Sequence, residues 1–268
     1  RILATILWLI ALFAVLFGVF APFSTTLQRL DIGLGVVLVL VGAALLWFGP
    51  RATSGWPLDV ALGFGYVVAA AGLEAVPKAQ VEGVAADLAT AKGAEEFVKR
   101  VPQTDILVNN LGIYEPKSFF EIEDADWSKM FEVNVMSGVR LTRHYLKRML
   151  DNKHWGRVVF VSSESGIFVP KEMVHYGFSK AAQLFIARGA AEYTKGTNVT
   201  VNSVLPGPTW VEMAPTRLAA RAKNMGTTVE DLVARTFSER RPASLLQRYA
   251  KPEEVANLIC YLCSKASS

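Results

Sequence analysis

The strongest constraint on the fold comes from three short runs. DILVNN (105–110), GRVVFVSS (156–163) and VTVNSVLPGP (199–208) are apolar and β-branched almost throughout, and amphipathic segments of helical length separate them. Strands that alternate apolar and polar residues keep one wet face, whereas a continuous run such as VVFV is dry on both. Dry strands joined by helix-length connections require a parallel sheet covered on both sides. The spacing predicts helices over 91–101, over 124–150 with Asp124 or Asp126 as N-cap, and over 176–194; QVEGVAADL (80–88) reads as one more short strand. The expected class is therefore α/β, a doubly wound parallel sheet. Ligands bind such sheets at the carboxyl ends of the strands. Asp87, Asn109 and Asn110, Ser162 and Ser163, and the Pro206-Gly207 turn gather there, each set closing a different strand. A shared cleft follows.

The first 77 residues are of another kind, and they raise the mean hydropathy to +0.29. Their charged side chains are Arg1, Arg29, Arg51, Asp31, Asp59 and Glu74. The uncharged runs 2–21 and 32–49 are about as long as a bilayer-crossing helix, and 61–73 is a shorter third run. Residues 1–77 are expected to be an apolar helical segment of two or three membrane helices, with buried core helices as the alternative. Residues 78–268 form the second piece. Lys+Arg 28 against Asp+Glu 24 is only mildly basic, which excludes a nucleic-acid-binding surface as the expected function. Cys260 and Cys263 have no second pair or nearby histidine, so no metal site is expected.

HYGFSK (175–180) sets Tyr176 and Lys180 four apart, on one face of the third helix, and Ser163 closes the strand before it. A phenol titrates near pH 10, and an adjacent ammonium favours its ionised form. Tyr176 could then give a proton to a carbonyl or take one from an alcohol, with Ser163 bonding the same oxygen. The other half of such a redox step needs a hydride carrier. His175 reads as a bystander at the helix start.

With AADL around Asp87, LVNNLG (107–112), VNV around Asn134, FVSSESG (160–166), YGFSK (176–180) and SVLPGPT (203–209), residues 78–268 resemble the short-chain dehydrogenase/reductase family. The likeness is to its 3-oxoacyl-carrier-protein-reductase-like members. It implies a Rossmann-like sheet and an NAD(P)-dependent oxidoreductase acting on a small carbonyl or secondary alcohol, with NADP slightly favoured over NAD. Tyr176 resembles the family's acid/base residue, Lys180 the residue that lowers its pKa and binds the nicotinamide ribose, and Ser163 the substrate-orienting hydroxyl. Asn134 matches the helix asparagine that holds a relay water. Asp87 and Asn110 match contacts to adenine and its ribose. Gly112 belongs to the same cofactor-binding set, and Pro206, Gly207 and Thr209 match the lining of the carboxamide. The resemblance also implies a homo-oligomer, dimer or tetramer, packed through the long helices, and a cytoplasmic catalytic domain, membrane-anchored if residues 1–77 span.

The family opens on a strand and a Thr-Gly-x-x-x-Gly-x-Gly turn that binds pyrophosphate, and closes on a final strand. GLG (33–35) and GFG (63–65) lie inside apolar runs and do not make that turn. The expected sheet is thus incomplete at both ends. The alternatives to an active enzyme are a catalytically inactive truncated or fused remnant, or a membrane-anchored protein that is not an enzyme.

Overall fold

The computed structural model describes residues 39–40, 83–152, 155–210 and 214–267. Among these residues four parallel strands lie side by side in chain order: β1 (Val39–Leu40), β2 (Ile106–Asn109), β3 (Gly156–Val161) and β4 (Val199–Val204). Ile106 pairs with Arg157, and Gly156 with Val199. The helices are α1 (Ala91–Arg100), α2 (Asp124–Phe131), α3 (Ser137–Asp151), α4 (Val174–Glu192), α5 (Ala214–Met225), α6 (Val229–Arg235) and α7 (Pro252–Cys263).

β1 corrects the expectation for the run 32–49. Val39 stands opposite Leu107 and Leu40 opposite Val108 in a parallel ladder, so this run is not one unbroken membrane helix. An uncharged run suits a dry strand as well as a lipid-facing helix, and its composition does not separate the two. The position beside β2, which the resemblance left empty, is taken by these two residues. The runs 2–21 and 61–73, and with them any anchoring through residues 1–77, lie outside the described residues. Among the described residues no helix is long and apolar enough to cross a membrane. A second correction concerns 80–88: Gly83 to Asp87 form no strand. A strand exists only against a ladder partner, and no described residue pairs with this segment.

Alternate side chains of a strand point to opposite faces. Leu107, Val158, Phe160, Val199 and Val201 turn to one face, packed with Phe97 of α1, Leu141, Tyr145 and Met149 of α3, and Ala187 of α4. Ile106, Val108, Val159 and Val204 turn to the other, packed with Val255, Ile259 and Cys263 of α7. Each such side chain, fully buried, contributes roughly 1.5–3 kcal/mol. α3 lies close on the sheet because Gly138 faces Phe160, where a Cβ would approach the ring at 2.8 Å. Cys260 and Cys263 are buried, and burial pushes the Cys263 thiol up to about 12, so it stays protonated in the core.

The predicted helix over 124–150 is divided. Glu123 is the N-cap of α2, and the Asp126 carboxylate reaches back to accept its N–H at 2.9 Å. An acid at the third helical position thus satisfies the cap in reverse. Between α2 and α3, Glu132–Met136 form a π-turn that buries Asn134. Arg157, on β3, is 1% exposed. Its guanidinium donates to the carbonyls of Gly156 and Asn198, both at 2.9 Å, and of Ser264 at 3.2 Å. Ser264 is the C-cap of α7, whose partial negative charge suits a cation.

Candidate active site

The carboxyl end of β3 leads directly into Ser163, whose backbone is extended and which caps a single 3₁₀ turn, Glu164–Gly166. Its hydroxyl oxygen accepts the Ser165 N–H at 3.1 Å. The same hydroxyl bonds the Tyr176 phenol, in the sense that favours the phenolate. Tyr176 stands in the first turn of α4, with Tyr114 edge-on at 6.1 Å between ring centroids. One turn further, Lys180 Nζ lies 5.7 Å from the Tyr176 centroid and is 5% exposed as a residue. It donates to Val161 O at 2.9 Å and to Gln183 Oε1 at 3.2 Å. Ser162 Oγ donates to Lys180 O at 2.7 Å, pinning α4 to the strand end.

Asn134 completes the cluster from the π-turn. Its Oδ1 accepts the Ile113 N–H at 2.7 Å, and its Nδ2 donates to Ile113 O and Ser179 Oγ, both at 2.9 Å. Its backbone carbonyl accepts Gln183 Nε2 at 2.6 Å. A Cβ on Gly112 would stand 3.4 Å from Lys180 Nζ and 3.6 Å from Asn134 Oδ1, so this glycine borders the same space. The Pro206 turn joins through the Glu164 N–H, which donates to Pro206 O at 3.0 Å; Thr209 Oγ1 donates to Gly207 O at 3.1 Å. Asn110 and Asp87 are exposed and hold other places, the first just past β2 and the second at the turn before α1.

Side chains that spacing did not single out also contribute. Glu164 pairs with Arg241 and Glu172 with Arg240, so the charged segment after β4 is clamped to the loop between Ser163 and Tyr176. Gln183 lies seven residues after Tyr176 and three after Lys180, a polar residue at core-face spacing, and that spacing was its available signal. His175 is fully buried beside Trp127, its ring nitrogens meet no partner among the described residues, and burial pushes its pKa down, which keeps it neutral.

The electrostatics differ from the expectation that the lysine lowers the phenol pKa. Burial pushes the Tyr176 phenol up, with the Ser163 hydrogen bond opposing, and burial brings Lys180 down to about 8. Desolvation penalises both charged forms, and at this separation it outweighs their attraction. A consequence for stability follows. Between about 8 and the unfolded lysine's 10.5, the unfolded chain holds the extra proton, so stability rises with pH. Cys260 and Cys263, both raised, act in the opposite sense as the pH approaches the unfolded thiol's 9.0, and Tyr176 does so further up. The parent's urea midpoint should therefore gain on that of Lys180→Met from pH 8 to pH 9, by the equivalent of roughly 1 kcal/mol. A parent that only tracks Lys180→Met would show that the ammonium is not desolvated.

Residues 66–222 match the family described as short chain dehydrogenase. The uncharacterized oxidoreductase YvaG of Bacillus subtilis is 48% identical over 182 residues, 68% of this chain and 69% of that protein. The 3-oxoacyl-[acyl-carrier-protein] reductase FabG of Aquifex aeolicus is 32% identical over 177 residues, 66% of this chain and 65% of that one. Among solved structures, L-sorbose reductase from Gluconobacter frateurii, complexed with NADPH and L-sorbose, superposes with a TM-score of 0.71 at 26% identity, covering 77% of this chain and 78% of that one.

Proposed function

The chain belongs to the short-chain dehydrogenase family, and from that premise we propose that it is an NAD(P)-dependent oxidoreductase interconverting a carbonyl and a secondary alcohol. The observation that carries the proposal is one cluster at the end of β3: the Ser163 hydroxyl bonded to Tyr176, with Lys180 a turn away.

The residues present suit the nicotinamide half of the cofactor. Gly112 leaves open, beside Lys180, a space that a Cβ would fill. Lys180 has three N–H donors and spends two on Val161 and Gln183, which leaves one for a ribose hydroxyl. Tyr176 and Lys180 would hold the ribose, with Gly112 beside it; Pro206, Gly207 and Thr209 would line the carboxamide, and Asn110 and Asp87 would serve the adenosine half. The bound nicotinamide supplies hydride to a carbonyl carbon or accepts it from an alcohol.

In reduction, charge develops on the carbonyl oxygen, and Tyr176 Oη transfers its proton there as the C–O bond becomes single. The Ser163 hydroxyl, which bonds the Tyr176 phenol, would bond the same oxygen and offset the developing charge. The Lys180 ammonium stabilises the phenolate left behind. In oxidation Tyr176 takes the alcohol proton back, so protons balance in both directions. Phe185 on α4 and Tyr193 at its C-cap are 80% and 78% exposed, which suits the packing of a second copy against that helix.

Titration of the purified chain with NADH and with NADPH, followed by nicotinamide fluorescence, should show saturable binding of at least one. Carbonyl-dependent oxidation of the bound nucleotide should then be measurable. Failure to bind either overturns the proposal.

A further inference from the structure

Gln183 is 1% exposed and joins two groups that the chemistry depends on. Its Oε1 accepts from Lys180 Nζ at 3.2 Å, and its Nε2 donates to the carbonyl of Asn134 at 2.6 Å. The amide has one workable orientation. Turned over, it would set N–H against ammonium and oxygen against carbonyl oxygen. Both partners are fixed independently: Lys180 by Val161 O, and Asn134 by three bonds of its side chain to Ile113 and Ser179. The amide closes the gap between α4 and the π-turn.

We propose that Gln183 is a positioning residue for Lys180: its amide spans the distance from the ammonium to the Asn134 carbonyl, fixes Nζ beside Tyr176, and does so without a charge. This rests on the oxidoreductase function proposed above. The neutrality matters as much as the reach. The groups that meet the ammonium among the described residues are the Val161 carbonyl from β3, the Gln183 amide from α4 and Gly112 from the loop after β2, with Asn134 Oδ1 close by. Tyr176 is the titratable group alongside. A carboxylate in place of the amide would form an ion pair with Lys180 and cancel the field that Tyr176 feels.

Three variants separate positioning from mere packing. Gln183→Met keeps the volume but has no acceptor for Lys180 and no donor for Asn134. Gln183→Ala leaves room for a water that can meet both groups. Positioning predicts that Met lowers kcat by about 10- to 100-fold at little changed KM, while Ala stays within about 10-fold of the parent. A packing role predicts the reverse order, because a cavity costs more than a volume-matched swap. Gln183→Glu should hold Lys180 protonated, moving the alkaline limb of the pH–rate profile upward and abolishing the rise in urea midpoint, relative to Lys180→Met, between pH 8 and pH 9.

That last readout needs neither cofactor nor substrate. If the parent turns over no carbonyl compound, the functional proposal fails and the urea series alone decides on Gln183. Met at least as active as Ala, or a Gln183→Glu chain with the parent's rise in midpoint, overturns the inference.

Discussion

Tyr176→Phe should lower kcat by about 10²- to 10⁴-fold, the range carried by one positioned acid/base group, while the melting temperature stays close to the parent's. The substitution removes one oxygen and leaves the ring against Tyr114. Ser163 keeps its bond from the Ser165 N–H, so the 3₁₀ turn is undisturbed. What disappears is the proton that must reach the carbonyl oxygen. The buried phenol is pushed up by desolvation, so in the free chain it is a donor and not a phenolate. Steady-state assays with saturating NAD(P)H for reduction, and with saturating NAD(P)+ for oxidation, read the effect. Turnover equal to the parent's would remove Tyr176 from the chemistry.

Asn134→Leu produces the largest loss of stability, roughly 3 kcal/mol or more, which for a domain of this size is about 6–12 °C in melting temperature. Leucine has nearly the shape of asparagine and none of its bonds. The side chain is 0% exposed and closes a two-way bond with the backbone of Ile113, accepting its N–H and donating to its carbonyl. Without it, the loop after β2 is left with two polar groups in a dry place, each costing about 1–3 kcal/mol. Ser179 loses a donor as well. Scanning calorimetry measures the shift. An unchanged transition would show that the loop finds other partners, and that the π-turn is not held by this residue.

The cluster of Ser163, Tyr176 and Lys180 was legible because its residues are tied to local geometry: four positions along a helix place Tyr176 and Lys180 on one face, and Ser163 closes the strand before it. That the three dry runs form a parallel sheet followed from their composition. What sequence did not reveal depends on neighbours. A π-turn adds one residue to a helix whose apolar spacing is otherwise ordinary, so 124–150 read as continuous although Glu132–Met136 widen it. Gly83 to Asp87 have strand composition and no ladder partner. Val39 and Leu40 are part of an uncharged run, and only the pairing with Leu107 and Val108 distinguishes strand from membrane helix. Gln183 shares the helix face of Tyr176 and Lys180 by spacing alone, and residue type does not separate a buried glutamine from a surface one.

Arg157 dictates an order of assembly. Its bond to Ser264 closes a separation of 107 residues, so the three strands around it leave the ribosome well before the end of α7 does. Throughout that interval one side of the sheet, with Ile106, Val108 and Val159, stays open to chaperones or to wrong partners. The entropy of closing so long a loop grows only with the logarithm of its length. The delay is therefore a matter of synthesis time, and α7 acts as a seal applied after the strands are made.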